Sequence, residues 1–160
     1  MESKTSKRRS RSPERPNFTP SGILKRYEDA HLALKYTEPL ESAPPSYQWR
    51  VFVYQDEDLV SEFDLFEKNY YLVGSTEGIC NITEEDTESQ HAVFQFRRRH
   101  GKVRLYLIDL ETQTGTFLNY RRIESSRFYE VISKDIVKFG DCEKDYVLIK
   151  GKKLKSRSPN

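Results

Sequence analysis

"HAVFQFRRRHGKVRLYLIDL", His91 to Leu110, holds two apolar-rich runs separated by His-Gly. "HAVFQFRRR" (91–99) and "KVRLYLIDL" (102–110) are rich in β-branched and aromatic residues, so they read as strands. "RRRHGK" between them is a hairpin, with Gly101 supplying the positive φ of the turn and the arginines on an exposed arm. Outward from this pair the pattern repeats. "QWRVFVY" (48–54), "LVSEFDL" (59–65), "YYLVG" (70–74), "GTFLN" (115–119), "FYEVI" (128–132), "DIVKFG" (135–140) and "DYVLIK" (145–150) are further strand candidates separated by Gly, Asp, Asn or Ser. Turn signals every 8–12 residues without long helical periodicity predict an all-β sandwich or barrel. Its expected filling is Trp49, Phe52, Phe94, Phe96, Tyr106, Ile108, Phe117, Val137, Phe139, Val147 and Ile149, as core and not as a base-stacking platform.

The 160 residues leave room for one domain with tails. Residues 1–16 hold six Lys/Arg against two acids, and residues 150–160 hold five against none. With 27 Lys/Arg and 25 Asp/Glu in all, the stretch between keeps 16 basic and 23 acidic residues, a net −7. Basic arms of this kind touch nucleic acid weakly or are merely solvated. "SKRRSRSPERP" (6–16) lacks apolar residues, so residues 1–16 are expected to be disordered, as is the tail 151–160. Ser12 and Ser158, each before a proline, are candidate phosphorylation sites. No apolar run approaches the roughly 20 residues of a membrane span, and no secretory core opens the chain; a soluble, intracellular protein without membrane contact is expected.

Residues 17–47 form an intermediate region. "NFTPSGILKRY" (17–27) sets Phe18, Ile23, Leu24 and Tyr27 around a turn at Ser21 and Gly22, and Ser21 is a candidate helix cap. So many apolar anchors in a short segment suit docking on a partner's surface; packing back on the domain is the alternative. Leu32, Leu34 and Tyr36 alternate like a half-buried strand, and Pro39, Pro44 and Pro45 mark an extended linker before the domain at 48–150.

His91 is a poor catalytic candidate, having no nucleophile or carboxylate partner in its sequence neighbourhood. No two of His31, His91 and His100 have the short spacing of a local metal motif, and Cys80 and Cys142 read as reduced structural thiols. The absence of a nucleophile elbow or phosphate-cradling glycine loop points away from an enzyme, and neither cofactor nor metal is expected. Arg97, Arg98 and Arg99 are the internal basic cluster, but alternate strand residues point opposite ways and make no single RNA-binding patch.

Gly74 ending a strand, His91 opening one, "IDL" followed by "TGTFLN", and "DIVKFG" near the end together resemble the forkhead-associated (FHA) domain. The resemblance implies an eleven-stranded β-sandwich whose loops at one end read phosphothreonine peptides. "QHAVFQF", "IDL…GTFLN" and "D-x-x-KFG…YVL", joined to the upstream "PNF…SG.L" and "KY.EP", are similar to the Smad nuclear interacting protein / pre-mRNA leakage protein group. Those are nuclear subunits of the retention and splicing (RES) complex of the spliceosome. Membership implies a non-enzymatic scaffold in pre-mRNA splicing, monomeric within a hetero-complex. Its Phe18, Ser21, Gly22, Ile23 and Leu24 would dock on the RNA-recognition-motif subunit, and its loops would meet other spliceosomal proteins.

The same resemblance makes Gly74, His91 and Gly115 loop-bracing residues and places a peptide pocket at Ser75, Glu88, Ser89, Thr114 and Asn119. Three of those positions depart from the family pattern: Ser75 stands where an arginine grips phosphate, Glu88 where a serine lies three before the histidine, and Thr114 where an asparagine precedes the glycine. A carboxylate about 4 Å from a like charge, at an effective dielectric near 20, costs about 4 kcal/mol, more than a pair of neutral hydrogen bonds at about 1 kcal/mol each. Glu84, Glu85 and Asp86 deepen the expected negative field. A degenerate pocket is therefore expected. A working phosphothreonine reader is the alternative if Arg121 or Arg122 lines the site, and RNA binding through the basic arms is a second.

Overall fold

The structure, a computed structural model, describes residues 33–155. The chain divides between Leu34 and Lys35, and the unit from Lys35 onward carries the fold. Among the described residues there is no helix, hence none long and apolar enough to cross a membrane.

Eleven strands form two sheets. They are β1 (Tyr47–Gln55), β2 (Asp58–Leu65), β3 (Tyr70–Gly74), β4 (Ile82–Thr83), β5 (Ala92–Arg99), β6 (Lys102–Asp109), β7 (Thr116–Leu118), β8 (Arg121–Arg122), β9 (Tyr129–Val131), β10 (Ile136–Phe139) and β11 (Lys144–Lys153). One sheet runs β2-β1-β11-β10-β7-β8 and the other β4-β3-β5-β6-β9. All nine expected strands form, and two that are only two residues long, β4 and β8, join them. The β5–β6 hairpin pairs Arg99 with Lys102. Its turn takes positive φ at His100 (53°) as well as at Gly101 (80°), the twist that suits a two-residue connection.

The core lies between the sheets. Val51, Phe94, Phe96, Leu105, Leu107, Val137, Phe139 and Leu148 are essentially inaccessible to water, each contributing about 1.5–3 kcal/mol of burial when large. Phe139 sits at the centre, edge-on to Phe94 at 6.0 Å and Tyr146 at 5.0 Å. Six expected core residues lie elsewhere, among them Ile108, which is buried on the outer face of the five-stranded sheet. Trp49, Val51 and Val53 take the inner face of β1, so Phe52 points out, and its partner Val147 on β11 follows, as does Ile149. Phe117 is likewise outward and half-buried on β7. Tyr106 lies on the outer face of the five-stranded sheet, where the Arg97 guanidinium stacks 4.7 Å from its ring and 4.1 Å from that of Phe128. Arg97 is thereby buried, not part of an exposed arm; Arg98 is exposed.

Residues 35–46 are neither a strand nor a linker. They cross the outer face of the five-stranded sheet as an irregular strap. Tyr36 is buried with Leu72, Val93, Ile108 and Leu110, and its hydroxyl donates to Gln95 Oε1 at 2.5 Å. At the far end the Ala43 N–H donates to the Phe96 carbonyl (3.2 Å) and the Arg98 N–H to that of Glu41 (2.8 Å), a bridge on the flank of β5 beyond the reach of β3. A prolonged strand is blocked because β3 already occupies that flank from Tyr70 onward.

Candidate functional site

The tip of the sandwich gathers the loops after β3, between β4 and β5, and between β6 and β7. Gly74 closes β3 against the β4–β5 loop so tightly that a Cβ there would stand 2.3 Å from the Ser89 carbonyl oxygen. Behind this approach the Ser75 N–H donates to the Glu88 carbonyl at 3.0 Å and the His91 N–H to that of Val73 at 2.8 Å.

His91 is fully buried and lies edge-on to Phe139. Its Nδ1 accepts the Glu88 N–H at 3.2 Å, and its Nε2–H donates to the Gly115 carbonyl at 2.8 Å. The two bonds define the neutral tautomer with the proton on Nε2. No nucleophile lies within these bonds, so the ring joins loops, and bracing is what its geometry can do.

Glu88 is turned toward the β6–β7 loop. One oxygen, Oε2, accepts the N–H of Gln113 (2.7 Å), the N–H of Thr114 (3.2 Å) and the Thr114 hydroxyl (3.3 Å). Burial pushes its carboxyl up, but the bonds from Thr114 and Gln113 outweigh burial and hold it below the ordinary carboxylate value. From the opposite side Arg122 donates to the Gln113 carbonyl at 3.0 Å and to that of Thr112 at 3.4 Å. Arg122 thus reaches this loop, packed over Gly115, where a Cβ would stand 2.6 Å from its Nε.

A residue that strand patterning does not single out organises the same loop. Asp109 ends β6 almost fully buried, and its carboxylate accepts the hydroxyls of Thr112 (2.6 Å), Thr116 (2.6 Å) and Ser125 (2.7 Å) and the Thr112 N–H (3.1 Å). Burial raises its carboxyl, and the Thr112, Thr116 and Ser125 bonds more than reverse this, leaving it lowered. The hydroxyl run "TQTGT" after "IDL" is the signal that could have revealed it.

The expected pocket residues therefore separate. Ser75, Glu88, Ser89 and Thr114 meet at the tip; Ser89 is exposed, and its carbonyl accepts the Cys80 thiol at 3.2 Å. Asn119 stands apart, with φ of 52°, its Oδ1 accepting the Ile136 N–H and its Nδ2 donating to Asp135, so it ties β7 to β10. Glu84 does not join the acidic field: it is buried and accepts the Tyr146 hydroxyl and Lys144 Nζ. Glu84, Asp86 and Cys142 present ligand-type atoms within 4.8 Å of one another, but these bonds already engage both Glu84 oxygens. Phe18, Ser21, Gly22, Ile23 and Leu24, with residues 1–16 and 156–160 of the basic arms, lie outside the described residues, whereas residues 151–153 of the tail expected to be disordered continue β11.

Residues 67–140 match the family model of the FHA domain. The sandwich has the FHA fold. The chain is 36% identical over 151 residues to mouse Smad nuclear-interacting protein 1, an alignment covering 85% of this chain and 39% of that one. It therefore spans less than half the length of that relative. Pre-mRNA leakage protein 1 of Saccharomyces cerevisiae is 28% identical over 165 residues, with 81% of each chain aligned. The structure of the yeast Pml1 splicing factor, solved with its integration into the RES complex, superposes with a TM-score of 0.66 at 25% identity, covering 74% of this chain and 98% of that one. FHA domain and Pml1-type relatives alike point to an interaction module.

Proposed function

We propose that this FHA protein is a non-enzymatic scaffold subunit of a nuclear retention-and-splicing-type complex, acting in pre-mRNA splicing with a phosphothreonine pocket that no longer takes its ligand. The carrying observation is the Glu88 carboxylate, held against the Gln113 and Thr114 amides where a ligand's anion would approach. A phosphate of charge near −2 brought to this position meets a fixed negative charge, without an arginine at Ser75 to offset it. The likeness to the Pml1 splicing factor and to Smad nuclear-interacting protein 1 supports the assignment to splicing.

The Phe18–Leu24 segment docks on the RNA-recognition-motif subunit, the FHA tip meets other spliceosomal proteins, and the basic arms add weak RNA contact. Two measurements test this. Co-purification with the RNA-recognition-motif subunit should be lost when Phe18→Ala and Leu24→Ala are combined, and unchanged recovery refutes the docking. Fluorescence titration with phosphothreonine peptides should show no phosphate-dependent binding tighter than about 10 μM, or −7 kcal/mol. Arg122 beside the β6–β7 loop favours one second reading, a phosphothreonine reader, which the same titration would establish.

A further inference from the structure

Two consecutive peptide groups on the β6–β7 loop are aligned as a pair. In the Thr112–Gln113 peptide the carbonyl accepts from Arg122 (3.4 Å) and the N–H donates to Glu88 (2.7 Å). In the Gln113–Thr114 peptide the carbonyl again accepts from Arg122 (3.0 Å) and the N–H again donates to Glu88 (3.2 Å). A guanidinium behind two parallel amide dipoles strengthens both donors, and the Thr114 hydroxyl adds a third, 3.3 Å from the same oxygen. Convergent main-chain N–H groups of this kind form an anion-binding concavity. The other side is equally fixed, because His91 Nδ1 holds the Glu88 N–H and the Ser75 N–H holds the Glu88 carbonyl.

We infer that Gln113 and Thr114, backed by Arg122, form an intact anion subsite whose resident ligand is the chain's own Glu88, and that removing this carboxylate opens the subsite to a phosphate monoester. The inference deepens the reading above, on which it rests: although the arginine at Ser75 is missing, the Gln113 and Thr114 donors are kept, and occupancy by Glu88 is what closes them. Glu88 then does from within the chain what a bound anion would do from outside, joining the β4–β5 and β6–β7 loops without a ligand.

The test uses the full chain and follows backbone amide resonances during titration with a phosphothreonine peptide, its unphosphorylated twin and inorganic phosphate. Wild type should leave the Gln113 and Thr114 signals unmoved. Glu88→Ser should shift both, saturably and only with phosphate-bearing probes, and Arg122→Ala added to it should weaken that binding by about tenfold or more. Glu88→Gln, which keeps the side-chain volume and loses only the charge, should show the same phosphate dependence more weakly and guards against a variant that fails to fold. A dispersed spectrum for either variant with no phosphate-dependent shift at these amides overturns the inference and leaves the closed-pocket reading standing. Phosphothreonine binding by wild type sinks that reading and this one with it.

Discussion

His91 and Gly115 are 24 residues apart, and the His91 Nε2–H donates to the Gly115 carbonyl across 2.8 Å inside the sandwich tip. Since Nδ1 holds the Glu88 N–H at the same time, one buried ring ties the β4–β5 loop to the β6–β7 loop. His91→Ala removes both bonds and the ring packed on Phe139, and leaves the Glu88 N–H without its acceptor. The expected loss is about 3 kcal/mol. Urea unfolding should show a lower midpoint at unchanged slope; a loss under about 1 kcal/mol, the worth of a single ordinary hydrogen bond, would remove the bracing role.

Gly74 and Gly78 separate two reasons for glycine. At Gly74 an added Cβ meets the Ser89 carbonyl oxygen at 2.3 Å, and backbone cannot step aside cheaply. At Gly78 it meets open space, and the only obstacle is a φ of +89°. Gly74→Ala should therefore cost about 2–3 kcal/mol by overpacking, and Gly78→Ala about 1 kcal/mol by strain. Parallel thermal melts check the ranking, and equal costs would show that the approach of β3 to the β4–β5 loop is loose.

How much of this was legible in the chain depended on the range of the interaction. Alternation revealed the nine longer strands, whereas Ile82–Thr83 and Arg121–Arg122 are too short to show a period. Facing was harder. In "RVFVY" both parities are apolar, and nothing local says that Val51 and Val53 point inward while Phe52 and Tyr54 do not. At the tip, Glu88 was legible as a charge hostile to phosphate. Its capture by the Gln113 and Thr114 amides 25 and 26 residues on was not, because main-chain donors carry no sequence mark.

The strap contributes stability from a segment read as a half-buried strand running into a linker. Tyr36 is buried with Leu72 and Val93, its ring 5.3 Å from that of Tyr70. Its hydroxyl meets Gln95, and the Gln95 amide donates onward to Ser42 Oγ at 2.9 Å. Tyr36→Phe should cost about 1 kcal/mol by leaving the fully buried Gln95 oxygen unpaired, and Tyr36→Ala about 3–4 kcal/mol. Limited proteolysis should cut within residues 35–46 in the alanine variant well before wild type. Equal cleavage rates would mean that the strap is held by its Ser42 bridge alone.

Asp109 gives the pH dependence. Its carboxylate accepts four bonds, from Thr112 twice and from Thr116 and Ser125 once each, and these hold its carboxyl below the ordinary value despite burial. A lowered folded-state value means that the unfolded chain takes up the proton first as pH falls. The charged form therefore stabilises the fold fully above the unfolded value, near 3.9, and the contribution is lost as pH drops from there through the folded value. Asp109→Asn keeps the shape but turns an NH2 toward a donor, so at pH 7 it should cost about 3 kcal/mol. The gap between wild type and variant should narrow steadily below about pH 4, as read by urea titrations across the acid range. A gap independent of pH would assign the loss to the misplaced amide, and the carboxylate's charge would no longer be what orders the Asp109–Thr116 loop.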